Sequence, residues 1–219
     1  MTSKAAYLPV KRIVDVLVAG AGLVVLAPFM AGVAAAILCD SPGAAIYRGW
    51  RIGRSGEPFV MFKFRTMVAD AASRGGPSTP DDDPRITRVG RWLRRYKLDE
   101  LPQLLNVLRG EMSLVGPRPE VPQYAAMLTG EERVILSVRP GMTDWASIWD
   151  IDEGQTLAGS SDVERKYLEE IWPQKSRLQM KYVREQSLAT DLQIIAQTVA
   201  RMLRRRTGGE RSTSGGPSR

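Results

Sequence analysis

VLVAGAGLVVLAPFMAGVAAAILC, residues 16–39, is a run of 24 residues with no ionisable group except the thiol of Cys39. At 1.5 Å per residue a straight helix of that length reaches roughly 36 Å, enough to span a hydrocarbon core of about 30 Å. Pro28 sits near the middle, where its ring clashes with the carbonyl of Val24 and removes a helical hydrogen bond. A sharp kink there leaves two arms of about 18 Å, each too short to cross alone. The segment therefore either kinks and still spans, or dips into the bilayer and returns. Lys4, Lys11 and Arg12 precede it and Arg48, Arg51 and Arg54 follow it, so the positive-inside rule gives a spanning helix no preferred direction. Placing both ends at the cytoplasmic face satisfies both groups of cations.

Two other readings of this run fail on residue type. VLVAGAG has the look of a dinucleotide-binding turn, but the third glycine position is Val25 and Pro28 interrupts the helix that would hold the phosphate. For a cleaved signal peptide the run is too long, and Ala36-Ile37-Leu38 before Cys39 is not a lipoprotein cleavage pattern.

The chain has 219 residues, enough for one ordinary domain with its own core beside the apolar segment. It contains no histidine, which removes Ser-His-Asp and Cys-His catalysis and the usual zinc sites. The single cysteine excludes an intramolecular disulfide or a Cys-rich metal site and fits a reducing compartment. Catalysis then falls to carboxylates, Lys, Arg and bound metal. The net charge of +7, from 31 Lys plus Arg against 24 Asp plus Glu, points to anionic partners: nucleic acid, acidic lipid or phosphorylated metabolites.

Alternation through Phe59, Met61, Phe62 and Phe64 around Ser55-Gly56-Glu57 predicts a β-hairpin. It brings Lys63 and Arg65 close together in an aromatic, core-like run where unpaired cations are costly. Residues 69–84, with Gly75-Gly76-Pro77 and Asp81-Asp82-Asp83, read as an acidic loop that lacks calcium-loop spacing. Six cations from Arg85 to Lys97 fit either a basic helix on anionic headgroups or an ordinary exposed helix. Asp150, Asp152 and Glu153 form a second acidic loop, and helical patterns follow over 163–171 and 190–203. Residues 207–219 are rich in Gly and Ser and are expected to be disordered.

YKLDELPQLLNVLRGEMSLVGPRPE, residues 96–120, carries the candidate chemistry. Leu101, Leu104, Leu105 and Leu108 recur at helical spacing, Pro102 is tolerable in a first turn, and Gly110 is a natural stop. Asp99 then stands where an N-cap belongs, stabilised by the helix dipole. The same helix N-terminus also suits a phosphate. Vicinal carboxylates diverge by about 100° on a helix, so Asp99 and Glu100 can divide labour between nucleophile and ligand for a hard cation. Arg118, held between Pro117 and Pro119, has little backbone freedom, which favours bidentate contact with a phosphate. RPGMTDW at 139–145 places Arg139 in a second turn, and either arginine would equally serve a structural ion pair.

The ordered set KFRTM at 63–67, DPRIT at 83–87, LDELPQLLNVLRGEMSLVGPRP at 98–119 and RPGMT at 139–143 resembles the bacterial sugar transferases, small monotopic polyprenyl-phosphate phosphoglycosyl transferases. The likeness begins at KRIVD, residues 11–15, and runs to Thr198. It implies a mixed α/β, mainly helical fold: a re-entrant membrane helix-hairpin over 1–40, broken at Ala27-Pro28, and a compact cytoplasmic catalytic domain over 41–206 with a small β-hairpin and surface amphipathic helices. The implied activity is transfer of a sugar 1-phosphate from a UDP-sugar to undecaprenyl or another polyprenyl phosphate. It primes surface glycan or exopolysaccharide assembly at the cytoplasmic face of the bacterial inner membrane. Asp99 would be the nucleophile that forms a phosphosugar-aspartyl intermediate, Glu100 with Asp99 would hold Mg2+, and Lys63, Arg65, Arg118 and Arg139 would bind phosphates. The implied partners are lipid bilayer, polyprenyl phosphate and UDP-sugar, with no nucleic acid and with room for a homodimer.

The chain departs from the family pattern in three places. Ala27 stands where many members have Ser, TDWASIWDIDEG stands where many read TGWAQ followed by a Gly-Arg turn, and Gln179 replaces an aspartate often found ahead of Tyr182. These changes leave the sugar open. Two alternatives predict other behaviour: a metal-dependent phosphodiesterase would cleave UDP-sugar without lipid, and a membrane-anchored basic module binding lipid or nucleic acid would show salt-dependent binding indifferent to Asp99.

Overall fold

The structure is a computed structural model and describes residues 4–76 and 78–207. The tail expected to be disordered falls, beyond Thr207, outside the described residues; Thr207 itself closes the final helix. Helix α1 (Lys4–Asp40) is continuous, with Pro9 and Pro28 inside it, so the segment expected as a helix-hairpin is here one helical element about 55 Å long. One face is stitched to the rest of the protein by residues spaced three and four apart. Tyr7, Asp15, Ala19, Val33 and Ile37 are buried along it, with Leu23, Leu26 and Met30 packed between them. The opposite face is apolar and bare: Leu17, Phe29 and Leu38 are exposed, and Val24 and Val25 are 76% and 75% exposed.

Strands β1 (Ile46–Ile52) and β2 (Pro58–Phe64) form the expected antiparallel hairpin, with Tyr47 opposite Lys63 and Trp50 opposite Val60. Helix α2 (Arg88–Arg95) is capped by Thr87 and leaves Arg88, Arg91, Trp92 and Arg95 exposed. Helix α3 (Gln103–Arg109) packs Leu104 and Val107 against Phe59 and Met61 of β2 and Ala19 of α1. Asn106 on α3, fully buried, acts as a partner for the edge of β2. Its Oδ1 accepts from Phe62 N–H (3.0 Å) and its Nδ2 donates to Val60 C=O (2.7 Å).

Strands β3 (Ser113–Val115) and β4 (Gly141–Thr143) pair in parallel, Ser113 opposite Gly141 and Val115 opposite Thr143. The two backbones touch at their ends: a Cβ on Gly141 would lie 2.1 Å from the nitrogen of Gly116, so only glycine fits. Helices α4 (Pro122–Met127), α5 (Trp145–Trp149), α6 (Glu153–Leu157), α7 (Val163–Lys166), α8 (Trp172–Glu185) and α9 (Leu188–Thr207) complete the domain. The pattern over 163–171 underestimates the helical region, which runs on through a π-turn at Tyr167–Ile171 into α8. Pro173, the second residue after the wide turn, falls where the N–H it lacks has no helical partner to lose.

Removing the Asn106 amide strands the Phe62 N–H and the Val60 C=O away from water, and each such group costs about 1–3 kcal/mol. Asn106→Ala is expected to lower stability by roughly 2–4 kcal/mol in denaturant titration of the detergent-solubilised protein. An unchanged midpoint would show that the hairpin is held by apolar packing alone.

Candidate active site

Lys97 closes the connection from α2 in the left-handed region (φ 54°), which is uncommon for a non-glycine residue, and turns the chain into the short 3-10 segment Leu98–Glu100. Asp99 is not the N-cap expected from the sequence. That place belongs to Pro102, with no side-chain cap, because the 3-10 turn already leads the backbone into α3 one turn earlier. Gly110 does end α3, at φ 82°. Asp99 is 7% exposed, and its Oδ1 is buried with no hydrogen-bond partner.

Two cations from distant segments meet these carboxylates. Lys63 on β2 places Nζ 3.0 Å from Glu100 Oε1 and 3.9 Å from Asp99 Oδ2. Arg118 grips Glu100 with both terminal nitrogens, Nη1 donating to Oε2 at 3.1 Å and Nη2 to Oε1. The backbone of Arg118 is itself fixed. Its N–H donates to Asp144 Oδ2 (3.3 Å) and its C=O accepts from Gln179 Nε2 (3.3 Å). Asp144 also caps α5 through Ser147 N–H at 2.7 Å. Two of the departures from the family pattern therefore converge on one backbone unit.

The adjacent carboxyls are driven apart electrostatically. Burial, assisted by the neighbouring Glu100 charge and only partly opposed by Lys63, pushes the Asp99 carboxyl above the usual range. Burial acts on Glu100 in the same sense, but Arg118 and Lys63 together outweigh it and hold Glu100 well below its usual value. One carboxylate is thus neutralised by ion pairs and the other is left with a free, poorly solvated oxygen.

The site lies in a cavity of about 960 Å3 lined by Lys63, Asp99, Glu100 and Arg118. Arg65 also borders it, but its guanidinium is turned away to the end of α1. There it donates to the carbonyls of Ser41 (2.6 Å), Pro42 (2.7 Å) and Ile37 (3.4 Å). Gly43, at φ 111°, leaves space for it, since a Cβ would stand 2.3 Å from Nη1. Arg139 is not among the lining residues; its Nε donates to Gly110 C=O (2.9 Å) at the end of α3, where Arg12 binds the carbonyls of Val107 and Leu108. Of the triple aspartate, Asp83 is paired with Arg85, whereas Asp81 lines the cavity.

The sequence reading missed a second charged group on the cavity wall. Lys175 bonds Glu120 (2.8 Å) and Tyr167 Oη (2.7 Å), and burial is outweighed by Glu120 and Tyr167 so that its ammonium is held above its ordinary range. Asp150 nearby is pushed up to about 6 by burial and by Glu153. Glu120 directly follows the Pro-Arg-Pro clamp, which was a usable signal; Lys175 sits in α8, past the end of the pattern read over 163–171. Lys175→Met strands the Glu120 charge and is expected to cost about 3–5 kcal/mol, with Glu120→Gln in the same chain recovering most of it. Thermal unfolding of the single and double variants checks this.

The profile of the family described as bacterial sugar transferase matches residues 6–205. A putative undecaprenyl-phosphate N-acetylgalactosaminyl 1-phosphate transferase of Bacillus subtilis is 43% identical over 127 residues, 58% of this chain and 71% of that protein. The undecaprenyl-phosphate glucose phosphotransferase of Komagataeibacter xylinus is 39% identical over 198 residues, 87% of this chain but only 35% of that protein, so the chain spans about a third of its length. The exopolysaccharide production protein PSS of Rhizobium leguminosarum is 38% identical over 212 residues, 92% of this chain and 98% of that protein. With the family profile covering nearly the whole chain, this protein belongs to the bacterial sugar transferase family.

Proposed function

We propose that this chain transfers a sugar 1-phosphate from a UDP-sugar to undecaprenyl phosphate through a covalent intermediate on Asp99. The observation that carries the reading is the buried, unpartnered Oδ1 of Asp99 beside a Glu100 already neutralised by Lys63 and Arg118. In the first step Oδ1 attacks the β-phosphorus and the bond to the UMP oxygen breaks, leaving a phosphosugar on the carboxylate. In the second, a phosphate oxygen of the lipid attacks the same phosphorus and the Asp99 carboxylate leaves. Lys63 and Arg118 are placed to offset phosphate charge, and no step calls for a histidine. The relatives' names specify glucose in one case and N-acetylgalactosamine in another, so the sugar is left open.

Among the described residues no cluster of three or more His, Cys, Asp or Glu side chains converges on a metal position. Asp99 nevertheless fits Mg2+ in the mode where one or two carboxylates share the ion with substrate phosphates, since its Oδ1 is an available donor; Glu100, engaged by Lys63 and Arg118, would join only by releasing one of them. Bound there, Mg2+ would polarise the diphosphate and reduce its charge.

The membrane reading draws support from how α1 is held. Its first turns bond to α9 through Tyr7 and Lys11, and its last turns pack on Phe64 and on Leu93 of α2. A straight helix standing across a bilayer would meet a one-sided domain at one end only. Contact at both ends favours the arrangement in which the bare apolar face, including Ala27 and Pro28, enters the membrane and both ends stay on the cytoplasmic side.

Asp99→Asn is expected to reduce UMP release from UDP-sugar and polyprenyl phosphate on the order of 10³-fold or more. Mass spectrometry of the unsubstituted protein with UDP-sugar alone should show one added phosphosugar. Full activity of the asparagine variant would end the mechanism. Because the Asp99 carboxyl is raised and acts ionised, activity should fall as pH drops through a value above the ordinary aspartate pKa of about 3.9. A rate that stays level down to that value would contradict the assignment.

A further inference from the structure

The cavity that holds Asp99 changes character along its length. One part of its wall is charged, with Lys63, Glu100 and Arg118; another is apolar, built from Val18 of α1, Leu114 and Met142 of the parallel strands, and Ile195, Val199 and Met202 of α9. Helices α1 and α9 are clamped together at one point, where Asp191 accepts from Tyr7 (2.9 Å) and Lys11 (2.7 Å). Seven residues past Lys11 and eight past Asp191, Val18 and Val199 border the same space, each about half exposed (49% and 50%). The apolar wall therefore reaches the outside between the two helices. It meets there the bare faces of α1 at Leu17 and of α9 at Leu192 and Leu203.

A space with buried cations at one part and an open apolar wall at another matches an anion carrying a long hydrocarbon tail. A nucleotide would leave the apolar wall uncovered, and an uncharged lipid would make no use of the positive charge that two cations, Lys63 and Arg118, hold beyond what the one Glu100 carboxylate offsets. We propose that the isoprenoid chain of the acceptor lies between α1 and α9, over Val18, Leu114, Met142, Ile195 and Val199, with its phosphate toward Asp99. The placement rests on the transfer reaction proposed above, and it deepens that reading by separating the lipid path from the path of the nucleotide sugar.

A photoreactive isoprenoid-phosphate analogue, presented in phosphatidylcholine vesicles to the full chain, should crosslink to α1 near Val18 and to α9 between Ile195 and Met202. Crosslinks confined to other elements would overturn the placement whether or not the enzyme turns over. In kinetics, Val199→Trp should raise KM for an eleven-isoprene phosphate about tenfold and that for a two-isoprene phosphate much less. Ile195→Trp should behave alike, and thermal midpoints confirm that both variants fold. Equal losses for both acceptor lengths, or no loss for either, would refute the groove. Absence of UMP from the unsubstituted protein would instead count against the transfer reaction and leave the crosslinking result to decide the groove.

Discussion

Two neighbouring carboxylates removed from water can coexist only if at least one is matched by fixed positive charge, and much of the domain is arranged around that requirement. The matching cations arrive from opposite directions. Lys63 comes from the second strand of a hairpin that α3 grips through Asn106, and Arg118 from a proline-held turn tied down by Asp144 and Gln179. Each needs its own scaffold, because a long flexible side chain fixes a charge only as well as its backbone is fixed. The result is asymmetric: Glu100 is saturated, and Asp99 retains an oxygen available for chemistry.

That asymmetry gives the two carboxylates distinct roles without any difference in their sequence surroundings. Burial alone would raise both; the guanidinium fork hydrogen-bonds Glu100 and there outweighs burial, whereas at Asp99 burial prevails. A negative substrate approaching this wall meets two cations already partnered with Glu100, so it can share them without their having to be gathered anew. The geometry thus lowers the reorganisation that phosphate binding would otherwise require.

Much of this was legible in the residues themselves. The hairpin announced itself through period-two aromatics, the end of α3 through Gly110, and the long apolar helix through 24 residues without charge. The carboxylate pair and Lys63 and Arg118 do meet in one cavity. Arg65 shows where sequence stops helping: it lies two positions from Lys63 and borders the cavity, but the carbonyls of Ser41 and Pro42, just past the end of α1, take its donors. The α8 helix went unread because the helical pattern was followed only to Ile171, and the wider turn that carries the helix on past Pro173 has no sequence signal of its own. Long-range partners such as Lys175 and Glu120, 55 residues apart, leave no local trace at all.

The hold of Arg65 on the turn after α1 also bears on how the protein is made. The carbonyls of Ser41 and Pro42, which follow the apolar helix, find their donors in a residue that leaves the ribosome more than twenty positions later, after an entire hairpin has been synthesised. The N-terminal turns wait longer still, for Asp191. Fixing the two ends of the apolar helix and folding the domain are therefore not successive stages but one process. The apolar helix is less an anchor attached to a finished enzyme than a surface on which the enzyme is assembled.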